Sequence, residues 1–212
     1  MEIQQNSTTP PLGFLLTDAT MNPVCGATPV VYGLQNGTPY TPQGAVTEAT
    51  ISSPAITGAV IGTAGTTTYQ YATVVHSAAG AAMIGATLTI TNGNATLSSS
   101  DYVQLSGFST PGACQYDVLK NVSGTWALLA TTSGANVSDQ GQATSAYTLP
   151  TVNTTSGGLY HLSGNAADRS ALGTIETGMS ANGGPTTWRQ DTIVQFAPTL
   201  PMPGKPFMRV GF

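Results

Sequence analysis

The chain has 212 residues, enough for one large domain or a modest domain with substantial additions. Apolar residues make up an ordinary 40%, but charged residues only 7%, far below the roughly 25% usual in soluble domains, so Thr, Ser, Asn and Gln carry the polar surface. Formal charge is −4 and Lys120 is the only cation in residues 1–155. That excludes the dense basic patch a nucleic-acid partner requires, and with neither a basic leader nor a long apolar run the sequence predicts no classical export signal and no membrane span.

In chain order, residues 1–48 are punctuated by "TTPPLG", "MNP", "ATP" and "QNGTPYTPQG". Such spacing forbids helix and permits only short strands between turns. This section reads as an N-terminal arm lying over its own body or over a neighbour. Phe14, Leu15 and Leu16 on it become candidate anchors, because an apolar side chain on an arm needs another surface to cover it.

Residues 49–155 are regular. The stretch from 57 to 82 contains no Asp, Glu, Lys or Arg. Within it "TTTYQYATVVHS" alternates, with Tyr69, Tyr71, Thr73 and Val75 on one face and Thr68, Gln70, Ala72 and Val74 on the other. Such a strand stays soluble without charge if hydroxyl and amide groups hydrate its outer face while the tyrosines pack inside. "ATLTIT", "DYVQLS", "QYDVLK", "TWALLATT" and "ANVSDQG" continue the pattern, separated by "TNGNA", "TPGA" and "NVSG". Six or seven short strands at this spacing predict an all-β, immunoglobulin-like β-sandwich.

Residues 156–212 lose the regular spacing and read as a C-terminal segment ending in an arm. A short helix is expected around Ala166 to Leu172, limited by Gly173, and a strand in "TTWRQDTIVQFAPTL" carrying Trp188. Pro198, Pro201, Pro203 and Pro206 make the end extended. Lys205 and Arg209 beside Phe207 and Phe212 suit docking on a more acidic neighbour, the aromatics supplying affinity and the cations orientation.

Chemistry is sparse. His76 and His161 are the only imidazoles, in no paired spacing, and read as hydrogen-bonded or surface side chains. No G-x-S-x-G elbow, Walker loop, G-x-G-x-x-G fingerprint or calcium loop is present. Cys25 and Cys114 lie far apart without metal spacing and are expected as buried free thiols. No catalytic, cofactor-binding or metal-ligating set emerges, and the chain is not expected to be an enzyme.

The succession "GTAGTTTYQYATVVHSAAG", "TNGNATLSSSDYVQLS", "PGACQYDVLK", "LLATTSGANVSDQG" resembles the immunoglobulin or fibronectin-III-like module of tailed-bacteriophage virion structural proteins. The matching positions are Thr68, Tyr69 and Tyr71; Asn94, Ala95, Leu97 and Ser98; Pro111, Gly112, Ala113, Tyr116 and Val118; and Asp139 and Gly141. The family's aromatic two residues after the strand leucine is replaced after Leu105 by Gly107, with Phe108 next to it, so either Phe108 takes over through a bulge or the core is repacked. Leu119 and Lys120 stand where the family favours Tyr-Arg.

The resemblance implies a non-enzymatic virion protein assembled in the host bacterial cytoplasm. Short length, a single module and arms at both ends point to a capsid decoration or cement protein, with the major capsid protein or other virion proteins as partners. Self-association into a homo-oligomer is implied, a trimer being one arrangement. The alternative is a tail or head-fibre component contributing to host-surface recognition. Neither reading calls for a cofactor, nucleic acid or membrane.

Overall fold

The computed structural model describes residues 2–181 and 184–194. Residues 2–48 carry β1 (Glu2–Gln4), β2 (Leu12–Leu15), β3 (Val30–Gln35), β4 (Thr38–Tyr40) and β5 (Val46–Glu48). The middle of the chain carries β6 (Thr57–Ile61), β7 (Thr67–His76), β8 (Leu88–Gly93), β9 (Tyr102–Ser106), β10 (Gln115–Val122), β11 (Thr125–Thr132), β12 (Val137–Asp139) and β13 (Ser145–Ala146). Then follow β14 (Leu159–Leu162), β15 (Gly173–Ser180) and β16 (Thr187–Val194).

The protein is all-β, and no helix occurs among the described residues. Where a helix was expected near Ala166, one turn forms, with the Arg169 N–H donating to the Ala166 carbonyl. The side chains that would have continued it are used elsewhere: the Asp168 carboxylate accepts from the Gln43 N–H and Arg169 donates to the Ser7 and Pro10 carbonyls.

The first sandwich sets a five-stranded sheet, β13-β11-β10-β7-β8, against a three-stranded sheet, β12-β9-β6. Alternation builds its core. Tyr71 and Val75 of β7, Ile90 of β8, and Tyr116 and Val118 of β10 meet Val103 and Leu105 of β9 and Val137 of β12 in one buried cluster. Gly107 has a φ of +91°, a conformation glycine adopts at no steric cost. Immediately beyond it Phe108 is buried, its ring centroid 5.8 Å from that of Tyr116. Phe108 thus supplies the aromatic at this end of the core.

The second face of β7 departs from expectation. Ala72 and Val74 are fully buried rather than hydrated. Beyond Tyr71 the free edge of β7 is taken by residues 82–85, through N–H donation from Ala82 to the Val75 carbonyl and from Gly85 to that of Thr73. Val74 pairs in register with Asp117 of β10, whose carboxylate accepts from the Tyr147 hydroxyl, so the chain after β13 returns over this face.

A second sandwich is made from the two ends of the chain. Its five-stranded sheet runs β1-β16-β15-β3-β4 and its three-stranded sheet β2-β14-β5. Ile3, Ile175, Met179 and Ile193 from the larger sheet and Leu12, Phe14, Tyr160 and Leu162 from the smaller share one core with Leu16 and Val24. This corrects the reading of residues 1–48 as an arm. Leu12, Phe14 and Leu16 alternate along one strand direction; their strand partner is β14, nearly 150 residues away in the chain, and the core they enter is closed by the larger sheet. Local punctuation does not reveal such a partner.

The first sandwich is therefore inserted between β5 and β14. The two connecting segments lie side by side: the Ala49 N–H donates to the Leu159 carbonyl, that of Ile51 to the Thr155 hydroxyl, and the Asn153 amide to the Ile51 carbonyl. Ser156 closes the clasp by donating to Glu48, whose other oxygen accepts from the Gly26 N–H.

Candidate interaction face

The polar clusters of the structure hold strands and loops together. Asp139, fully buried, lies 2.6 Å from the Lys120 ammonium and accepts a 2.7 Å hydrogen bond from the Tyr71 hydroxyl. The ammonium also stands 5.0 Å from the centre of the Tyr69 ring. Burial, with the Asp139 carboxylate adding to it, pushes the Tyr71 phenol far above its ordinary range, so it remains a donor. Asp117 gathers His76, Gln115 and Tyr147 around its carboxylate, and burial raises the Tyr147 phenol as well. Asn94, 1% exposed, donates to the Ile61 and Thr63 carbonyls and ties the end of β8 to the β6–β7 turn. These tethers include the Asp139 and Asn94 positions that carry the family resemblance, but their structural use is not visible from spacing.

None of these clusters joins a nucleophile, a base and an open cavity. Among the described residues no group of three or more His, Cys, Asp or Glu is placed to hold a metal ion, and no helix is long and apolar enough to cross a membrane. The thiols are free as expected but not buried: Cys114 is exposed and Cys25 half-buried. Cys114 follows a turn at the mouth of β10, and its side chain is not needed for the core.

The candidate anchors divide. Phe14 and Leu16 are 1% and 0% exposed inside the second core, so they serve folding and are unavailable to a partner. Leu15, between them in alternation, points out of the smaller sheet and is 56% exposed. Trp188 projects from the larger sheet and is 53% exposed. Lys205, Phe207, Arg209 and Phe212 lie outside the described residues.

Around Trp188 the sheet register assembles a feature that sequence spacing did not show. Gly178 of β15 is directly opposite Trp188 of β16 on one side and Tyr32 of β3 on the other. With no side chain on the central strand, the two rings approach across it, their centroids 6.4 Å apart and their planes at 36°. Tyr32 is 43% exposed. One row along, Leu34, Glu176 and Gln190 align, and the Gln190 amide donates to the Glu176 carboxylate at 3.1 Å. Val30, also exposed, continues the face on the other side beside Ser180. The sequence signal was Trp188 itself, since Tyr32 reaches it from a strand more than 150 residues away in the chain.

Comparison with family models, with curated proteins and with solved structures finds no match to this chain.

Proposed function

We propose that this chain is a non-enzymatic structural protein of a tailed-bacteriophage particle, a decoration or cement protein seated on the major capsid protein or another virion protein. One observation carries the attachment reading. Of the nine large apolar side chains left exposed among the described residues, six belong to the second sandwich: Leu15, Met21, Val30, Tyr32, Leu172 and Trp188. Three of them, Val30, Tyr32 and Trp188, share one outer face of the larger sheet, and an apolar cluster left uncovered there marks where another molecule sits. The charge-poor composition supports the same reading, because like-charge repulsion does little to keep such surfaces apart. The Pro-rich segment from Pro198 to Phe212, with its paired aromatics and cations, is the proposed attachment element, and Leu15 adds an apolar contact on the smaller sheet.

The test is to image particles carrying the chain and count its copies. Copy number comparable to the major capsid protein, with loss of particle association by a folded chain ending at Ala197, supports the cement reading. A few copies at a tail or vertex would move the chain to the fibre class, and normal decoration by the shortened chain would remove the attachment role from the C-terminal segment.

A second reading within the particle, recognition of the host surface, is favoured by the Tyr32–Gly178–Trp188 row. Two aromatic rings held open to solvent on a rigid sheet, with a polar pair beside them, form a recognition surface rather than a core.

A further inference from the structure

We propose that the Tyr32–Trp188 face is a saccharide-binding platform that takes unbranched neutral sugars, an inference that rests on the host-surface reading above. A pyranose ring is amphipathic, with C–H groups on its faces and hydroxyls around its rim. The faces suit the electron-rich surface of an aromatic ring, whose quadrupole attracts positively polarised hydrogen. The rim suits side chains with several acceptors and donors in a fixed arrangement. Tyr32 and Trp188 supply two adjoining ring surfaces at 6.4 Å, and Glu176 and Gln190 supply the polar rim one row along.

The pair is preorganised. All these residues stand on neighbouring strands, so little order is lost on binding. The Gln190 amide donates to one Glu176 oxygen, and of the roughly four acceptor sites of a carboxylate about three remain to take sugar hydroxyls.

Gly178 is part of the device. A Cβ at that position would come within 2.9 Å of the Trp188 ring and of the Thr186 methyl, so any side chain there displaces the tryptophan. The rings can meet over the central strand because its residue there is glycine.

Size and charge decide between a sugar and a protein as occupant. A large aromatic side chain presents ~150–250 Å², so two rings about half exposed offer on the order of 150–250 Å². A stable protein partner needs about 800 Å² per side, whereas one or two sugar residues are covered by such a platform. Across the ring row and the row beside it the one charged side chain is the Glu176 carboxylate, which disfavours a polyanion and matches a neutral ligand better.

The experiment titrates the full chain with maltotetraose, cellotetraose and tri-N-acetylchitotriose, reading tryptophan fluorescence and isothermal heat. The expected result is saturable binding of at least one sugar below about 10 mM, weakened about tenfold or more by Trp188→Ala and by Tyr32→Ala. Gly178→Val should weaken it comparably by displacing the ring, Glu176→Gln by a few-fold, and Leu15→Ala on the other sheet should leave it unchanged. Circular dichroism and melting confirm that each variant is folded. No saturable signal with any of the three sugars overturns the proposal, and so does binding indifferent to Trp188→Ala. If no sugar binds while Trp188→Ala abolishes particle association, the face is a protein interface and the cement reading stands without the saccharide site. If sugars bind as expected while the chain is absent from particles, the platform stands and the virion reading falls.

Discussion

Removing the Lys120 ammonium is the sharpest test of how the first sandwich is held. The Asp139 carboxylate has no exposure and the ammonium 2.6 Å from it is its only charged partner in the structure, among the described residues. At that separation two unit charges attract by about 6 kcal/mol at an effective dielectric near ~20, offset by the cost of taking both out of water. Lys120→Met keeps the apolar stem but strands the carboxylate, which costs about 3–5 kcal/mol. Tyr71→Phe removes a hydrogen bond to a charged group and costs about 1.5–3 kcal/mol. Asp139→Asn costs less than Lys120→Met, because the 15%-exposed lysine head can turn to water. The chain has two tryptophans, Trp126 on β11 and Trp188 on β16, so in a Trp188→Phe background fluorescence reports the first sandwich alone. There Lys120→Met should lower the melting temperature by roughly 6–20 °C. Lys120→Met combined with Asp139→Asn should cost at least about 2 kcal/mol less than the sum of the two. Strictly additive effects, or a Lys120→Met cost below about 0.5 kcal/mol, would refute the reasoning.

Phe14→Ala should destabilise the second sandwich by about 3–5 kcal/mol in urea titration, while Leu15→Ala changes it by less than about 0.5. Equal effects would return β2 to the status of an arm. Burial, with the Asp168 charge adding to it, pushes the Tyr40 phenol up to about 12, and Tyr71 and Tyr147 are also raised. Unfolded phenols ionise near ~10, so above that pH the unfolded state loses protons that the folded state keeps. Stability should be unaffected by these groups below about pH 10 and fall as pH rises through about 12. Urea midpoints measured from pH 9 to 12 check this, and Tyr40→Phe should flatten the decline. Residues 50–155 expressed alone should give a β-type far-ultraviolet spectrum and a cooperative melt; a helical spectrum or the absence of a transition would contradict the autonomy of that core.

What the sequence made legible is what period two can encode. The inward row of Tyr71, Val75, Tyr116, Val118, Val103 and Leu105 follows from alternation within single strands, and the observed core contains each of them. The strand carrying Trp188 was legible for the same reason. The second sandwich was not, because its strands are short, its turns proline-rich and its pairings join residues such as Phe14 and Tyr160 that no local window contains. Phe14 and Leu16 look the same in sequence whether they cover a neighbour or their own core. The buried outer face of β7 escaped for a similar reason: Ala72 and Val74 suit either water or a light covering, and the covering strand edge comes from residues 82–85. Of the interaction face, one residue in a row of three was foreseen. Tyr32 is a tyrosine in a Pro-rich stretch and Gly178 offers no side chain to read, and register alone gives them their role.

The insertion of one sandwich into the other links the order of folding to the construction of this face. Glu48 and Leu159 are separated by the whole first sandwich, and joining such distant segments as free chain carries a loop-closure cost that grows with the logarithm of their separation. Once residues 50–155 have folded, the cost has already been met, because Ile51, Asn153 and Thr155 bring the two connectors side by side. The first sandwich takes all its strands from β6 to β13, with β7 paired to β8 and β10 to both β7 and β11, and shares no sheet with the ends of the chain. Its formation turns β5 pairing with β14, and then β3 with β15, from encounters across more than a hundred residues into local ones. Tyr32 and Trp188 come from opposite ends of the chain and meet only in that last step. On this order of folding the face depends on an intact first sandwich, and a core substitution such as Lys120→Met should reach it without touching any of its residues.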